Sequence, residues 1–386
     1  MQRNILLTPG PTMIPDQNYE AMARPIIHHR TPQFQQNIKD VIQGLQYVFQ
    51  TKNEIYLLTS SGTGAMEAAV CNLLSPGDQC ITVEGGKFGE RWTELANAYG
   101  AKPTVIKVAW GKAVEAKQIK AILEDNKDIK AVFITQTETS TAALTDVKAV
   151  ADVVRATNAV LVVDGISGLA ANDLKMDEWG VDVVISASHK GFMLPPGLAY
   201  VAVNARAAAL IEKCTNRRYY FDLRKSKKAF AGTDTPFTPA ITIVIGLVES
   251  LKMIKKAGLE KWFAHQAHLA LGTRAAMKAL GLSIFTDASC LSNALTAVNV
   301  PQGVDGEKLI KTLRDVHGVT LAGGQDELKG KIFRICHMGC ISEGHLVMGI
   351  TILEQVLAEM GYAFKKGAGV KAAEDAFKNS KIGAGR

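Results

Sequence analysis

Between residues 54 and 203 the chain alternates between short apolar runs and helix-forming stretches, and this alternation constrains its fold more than any other feature. Residues 54–59, 80–83, 104–108, 131–135, 159–163, 182–186 and 198–203 read as strands, and 65–70, 90–99, 116–123 and 146–156 as helices. Strands alternating with helices at this spacing predict the α/β class, a mostly parallel central sheet wrapped by helices. Ligands of such sheets bind beyond the carboxyl ends of the strands. Ser61, Phe88, Thr139, Asp164 and Lys190 all fall just past such ends, on one predicted rim.

The flanks read differently. Pro9, Gly10 and Pro11 make an extended arm, equally consistent with a surface lead-in, a lid or a segment crossing a dimer. Residues 31–50 read as a helix, with Ile38, Val41, Ile42, Leu45 and Val48 at helical spacing. Residues 214–239 read as polar and irregular. A long helical region from 239 to 280, broken near Gly258, leads into short strands (294–300, 331–336) alternating with helices (305–316, 343–359). This pattern predicts a smaller α+β domain, with a Gly/Ala/Lys-rich tail from Lys365 loosely held. The expected division is an arm (1–15), a large domain (16–255) and a small C-terminal domain (256–386).

Two residues on the rim suggest chemistry. The apolar run Leu161, Val162, Val163 ends on a lone carboxylate, Asp164, and about a helix and a strand later a small-residue turn delivers His189 and Lys190. The pair suits a cofactor with a basic ring nitrogen at one end and an aldehyde at the other, which describes pyridoxal 5′-phosphate. An aspartate keeps the ring nitrogen protonated, and a lysine amine holds the aldehyde. Ser60, Ser61, Gly62, Thr63 and Gly64, between a strand and a helix start, supply backbone N–H groups and a positive helix end for an anion. An ordinary capped turn has the same composition. The turn matches neither nucleotide fingerprint: Glu67 stands where a dinucleotide loop needs Gly or Ala, and no Gly-Lys-Ser/Thr ending follows.

Charge and cysteine content narrow the classes further. The formal charge of +7 is scattered, without a basic tract interleaved with aromatics, so no nucleic-acid partner is expected. The longest apolar run, near 240–248, is too short to span a membrane. Six cysteines include no Cys-x-x-Cys pair, which points to free thiols in a reducing compartment. With no signal-peptide pattern at the start, the cytoplasm is the expected location.

With Asp164 and Lys190 in place, the chain resembles the class V aminotransferases. It is most similar to the alanine–glyoxylate and serine–glyoxylate (serine–pyruvate) members. The resemblance runs from the Pro9–Gly10–Pro11 arm to Gly323, Gly324 and Arg334, and its most specific piece is Ser188, His189, Lys190, Gly191 with Pro195, Pro196, Gly197. It implies the pyridoxal-phosphate-dependent transferase fold type I, a homodimer, and an amino acid and a 2-oxo acid as substrates. It also implies roles. Lys190 holds the cofactor and Asp164 pairs with its ring nitrogen. Ser61, Gly62, Thr63 and His189 surround the phosphate, and Phe88 stacks on the ring. Thr139 lies near the ring hydroxyl, Thr238 reaches across the dimer to the phosphate, and Arg334 grips the substrate carboxylate. Two positions depart from the pattern: Thr235 stands where some relatives carry a phosphate-binding Tyr, and Cys336 where close relatives have Gly. The rival readings are a cysteine desulfurase-like lyase and a non-catalytic subunit associated with a hydrogenase.

Overall fold

The computed structural model describes residues 4–380. Seven strands form the central sheet: β1 (Glu54–Leu58), β2 (Gln79–Glu84), β3 (Lys102–Lys107), β4 (Ile129–Thr135), β5 (Val160–Asp164), β6 (Val183–Ala187) and β7 (Ala199–Val203). Their order is β1-β7-β6-β5-β4-β2-β3, and β7 runs antiparallel to both of its neighbours. The other six share one direction, so their carboxyl ends form a single rim. β5, β6 and β7 are buried at every position, because helices cover both faces of the sheet. One covering core contains Phe34, Val41 and Leu45 of helix α1 (Pro32–Phe49), and the opposite core contains Met66 and Val70 of α2 (Gly62–Leu73) and Trp92 of α3 (Lys87–Ala98).

Helix α4 (Ile241–Ala257) packs against α1, and Gly258, with φ +82°, separates it from α5 (Leu259–Ala279). A third core gathers Leu269, Ala276 and Met277 of α5 with an antiparallel sheet of β8 (Leu295–Asn299), β9 (Ala322–Gly323) and β10 (Ile332–Cys336). Ile5–Leu6 pairs in parallel with Val319–Thr320.

Two expectations change. The stretch 214–239 contains a helix, Leu223–Ala231, whose first turn is capped by Asp222. Its row of Lys and Arg hid the period, since little more than Leu223 and Ser226 is buried. The tail from Lys365 is held as far as residue 380, and residues 381–386, to which the expectation also applied, lie outside the described residues. It forms helix Ala368–Asn379, which buries Gly369, Ala373 and Phe377 on one face. The Glu354 carboxylate accepts from Gly369 N at 2.9 Å, and Phe377 lies so close to Gly272 that a Cβ there would meet its ring at 2.0 Å. With Gly369 and Ala373 beside a single large apolar residue, Phe377, its buried face gave too weak an apolar signal for this helix to be read from sequence.

Candidate active site

β5 ends on Asp164 itself, and β6 ends three residues before Lys190, so adjacent parallel strands bring the carboxylate and the amine to neighbouring points on the rim. Asp164 is 3% exposed. Its Oδ1 accepts from Ile166 N at 2.8 Å, while no group among the described residues bonds Oδ2. Burial pushes its pKa up to about 7; the Ile166 N–H works against this, and the charge of Glu138 adds to it. Lys190 is also buried, and its pKa is lowered to about 8, chiefly by burial, with Cys336 and Asp164 opposing and the Arg334 and Arg91 charges adding. Its amine donates to Pro9 O at 2.5 Å.

That last bond shows where the arm goes. Leu7 O accepts from Cys336 N, while Thr12 donates through N to His189 O and through Oγ1 to Lys190 O. The arm thus runs across the lysine of its own chain and ties to both cores. Gly10 has φ +138°, and a Cβ there would stand 2.3 Å from Lys190 Nζ, so only glycine lets the arm pass.

The turn at Ser61–Gly64, read from sequence as a candidate anion site, lies beside this pair. Ser61 is the N-cap of α2, yet its hydroxyl caps nothing, and a Cβ on Gly62 would meet Ile166 Cδ1 at 2.5 Å. Thr63 Oγ1 accepts from Arg91 Nη1 at 3.1 Å, and the Arg91 guanidinium lies 5.1 Å from the centre of the Phe88 ring. His189 Nδ1 is buried without a partner among the described residues. Burial, with Lys190 adding, lowers its pKa to about 4, so the ring is neutral. Thr139 Oγ1 shares a 2.6 Å hydrogen bond with Ser167 Oγ. Arg334, on β10, is 6% exposed; Nε and Nη2 donate to Gly323 O at 3.0 and 2.7 Å, and Nη1 donates to Thr139 O at 2.8 Å. Its pKa falls to about 10 through burial, with Glu138 opposing, so it remains charged at neutral pH.

Thr238 is placed differently. It is exposed, in a cleft with Leu58, Thr59, Tyr220 and Phe237, whereas Thr235 is buried and donates to Phe237 O. Cys336 is fully buried and burial raises its thiol to about 12; the Cys340 thiol, held on Met13 O, rises to about 11. Sequence reasoning missed Arg91, Ser167 and Gln325, whose Oε1 lies 3.4 Å from Arg334 Nη1. Only Arg91, three residues after Phe88 and therefore on the same helix face, left a readable signal.

An amine with a lowered pKa, a buried carboxylate with one free oxygen, a helix start with an idle N-cap hydroxyl and an orphaned imidazole nitrogen match the aldehyde, ring nitrogen and phosphate of pyridoxal 5′-phosphate. On this sheet, they define a pyridoxal-phosphate enzyme of fold type I. The family description "Aminotransferase class-V" matches residues 15–330, and the chain belongs to that family. It is 42% identical to a protein named "Soluble hydrogenase, small subunit" from Synechococcus sp. (strain PCC 6716), over 96% of this chain and 97% of that one. It is 34% identical to the L-aspartate–glyoxylate aminotransferase of Paracoccus denitrificans (98% and 97% covered) and 35% identical to the serine–glyoxylate aminotransferase of Hyphomicrobium methylovorum (96% and 94%). Among solved structures, it superposes on ureidoglycine–glyoxylate aminotransferase of Bacillus subtilis with TM-score 0.95 and 28% identity, covering 98% and 99%. Alanine–glyoxylate aminotransferase of Nostoc sp. gives TM-score 0.88 and 29% identity, covering 92% and 96%. The protein is a transaminase acting on an amino acid and a 2-oxo acid, and its cofactor is pyridoxal 5′-phosphate.

The lowered pKa of Lys190 has a kinetic consequence. Only a neutral amine attacks an aldehyde, and at pH 7 about a tenth of an amine with a pKa near 8 is neutral, against well under a thousandth of an ordinary lysine. Uptake of cofactor by the apoenzyme, followed by visible absorbance, should accelerate as pH rises and level off just above pH 8. A rate still climbing tenfold per pH unit at pH 9.5 would show that Lys190 titrates normally.

Proposed function

We propose that the enzyme moves the amino group of a small L-amino acid, alanine or serine, to glyoxylate or pyruvate. The observation that carries this reading is Arg334: a buried guanidinium fixed by the Gly323 and Thr139 carbonyls, with one Nη2 hydrogen left for a ligand. A rigid, buried cation with an N–H to spare suits a carboxylate. One arginine can serve the amino acid and the oxo acid in turn, since both carry a carboxylate at the same distance from the reacting carbon. Glyoxylate as acceptor is supported by the names of the Paracoccus, Hyphomicrobium, Bacillus and Nostoc proteins.

The bound cofactor supplies an electron sink. With the cofactor bound, Asp164 would hold negative charge toward the ring nitrogen, Phe88 would cover the ring, Thr139 would serve the ring hydroxyl, and Ser61, Gly62, Thr63 and His189 would hold the phosphate. Lys190 Nζ, once freed of the cofactor, would take the proton from the substrate Cα, so one amine would work as base and then, as its ammonium, as acid. The desulfurase alternative needs a thiolate, and burial keeps Cys336 and Cys340 protonated. The hydrogenase label rests on relatives' names, and among the described residues no group of three or more His, Cys, Asp or Glu is arranged to hold a metal. The division at residues 15 and 255 belongs to the same reading, supported by the break at Gly258 between α4 and α5. So does the homodimer, supported by the exposed Thr238 and by the apolar side chains of Ile26 and Tyr219, 68% and 72% exposed. Free cysteines without a disulfide support a cytoplasmic location.

The test is a half-reaction. L-Alanine or L-serine, added without acceptor, should bleach the yellow holoenzyme, and glyoxylate, then pyruvate, should restore the colour at rates that rank the acceptors. Faster bleaching by L-aspartate would move the assignment toward the Paracoccus enzyme's substrates. Sulfide released from L-cysteine would favour the lyase. A spectrum unchanged by any amino acid would sink the reading.

A further inference from the structure

Helix α3 begins without a cap of its own. Its N-cap is Gly86, which has no side chain to offer to the unpaired N–H groups of the first turn. Those groups are nevertheless bonded, by residues about fifty positions further along. Lys87 N donates to Ser140 Oγ at 3.1 Å, Phe88 N to Glu138 Oε1 at 3.3 Å and Gly89 N to Glu138 Oε2 at 2.9 Å. Ser140 completes the arrangement by donating to Glu138 Oε1 through N at 3.1 Å and Oγ at 2.6 Å. Glu138 therefore receives four donors, which suits a carboxylate at a positive helix end. Gly86 is glycine for the same reason: a Cβ there would lie 2.3 Å from Ser140 Oγ and 2.7 Å from Glu138 Cδ.

The cap lies at the centre of the site. Phe88 is the middle one of the three residues whose N–H groups it holds. Thr139, between its two members, accepts from Arg334 Nη1 through its carbonyl and shares a hydrogen bond with Ser167 through its hydroxyl. We propose that Glu138, supported by Ser140, is a positioning residue. It caps α3 from another segment and so fixes the Phe88 ring over the cofactor, in register with the Arg334 guanidinium. The inference rests on the reading of Phe88 as the residue that faces the cofactor ring.

The test compares holoenzymes of Glu138→Gln, Ser140→Ala, Phe88→Leu and Glu138→Gln/Phe88→Leu with wild type. Asp305→Ala serves as a control, because it removes a side-chain cap from helix Gly306–Asp315, outside the site. The readouts are the visible circular dichroism per bound cofactor, the cofactor dissociation rate and thermal stability. Loss of a cap corresponds to about a tenfold change in an equilibrium it supports. Glu138→Gln should therefore weaken the dichroism and speed dissociation about tenfold, with Ser140→Ala smaller in the same direction. The double variant should be no worse than Phe88→Leu alone. Asp305→Ala should lose thermal stability only. Glu138→Gln behaving like Asp305→Ala, or adding in full to Phe88→Leu, would overturn the proposal. If Phe88→Leu itself keeps wild-type dichroism and dissociation, the ring-facing reading fails and the proposal falls with it. Should Glu138→Gln not fold, Ser140→Ala decides between the same outcomes.

Discussion

Lys190→Ala should lose transamination by about a thousandfold or more, because it removes both the covalent tether for the cofactor and the base that moves the Cα proton. The fold should survive. The side chain lies on the rim, where its one hydrogen-bond partner among the described residues is the Pro9 carbonyl, so the substitution removes a single bond. The measurements are turnover with L-serine and glyoxylate, and retention of cofactor after borohydride reduction and gel filtration. The variant should retain none covalently, whereas wild type should carry one per chain. Undiminished turnover would refute the assignment of Lys190 and, with it, the two-half reaction.

Asp164→Asn should separate activity from stability. An amide cannot hold a positive charge on the ring nitrogen, so turnover should fall by about a hundredfold or more, within the range of a charge-stabilising group. The cofactor-free protein should become more stable at alkaline pH. The folded-state pKa of Asp164, about 7, is raised above the unfolded value of 3.8. The favourable contribution of the neutral carboxyl is therefore complete below pH 3.8 and lost as pH rises through 7. Above pH 7 the folded chain carries a buried carboxylate at a cost of about 4 kcal/mol, since each tenfold change in proton affinity is worth about 1.4 kcal/mol. Asparagine carries no such cost. Thermal unfolding at pH 8 should show apo Asp164→Asn melting several degrees above apo wild type, with the gap closing near pH 4. A variant that melts lower at pH 8 would mean the carboxylate is stabilised by contacts beyond the Ile166 N–H. The destabilised aspartate then marks a site strained for the ligand it receives.

The same physics separates what was readable in the chain from what was not. Alternating apolar runs and small-residue turns specify a wrapped parallel sheet, because a fully buried strand and its crossover helix each leave a local pattern. A parallel sheet then sends every strand's carboxyl end to one rim, so Asp164 and Lys190 could be paired from their positions in the chain, as could the turn at Ser61. The helix Ala368–Asn379 escaped because its buried face is built of Gly369, Ala373 and Phe377, too small a stripe to register. The three readings open for the arm could not be narrowed locally either. Only the folded chain lays Pro9 and Gly10 across Lys190.

The sequence by itself determined the class of fold, the rim and the principal charged groups, since each depends on near neighbours or on a fixed periodicity. Tertiary structure decided the rest: how far burial moves the proton affinities of Asp164 and Lys190, which carbonyls fix Arg334, and that Glu138 caps a helix about fifty residues away. Burial and capping from a distance arise between segments remote in the chain, and a glycine in place of a capping residue at position 86 is the faint local trace they leave.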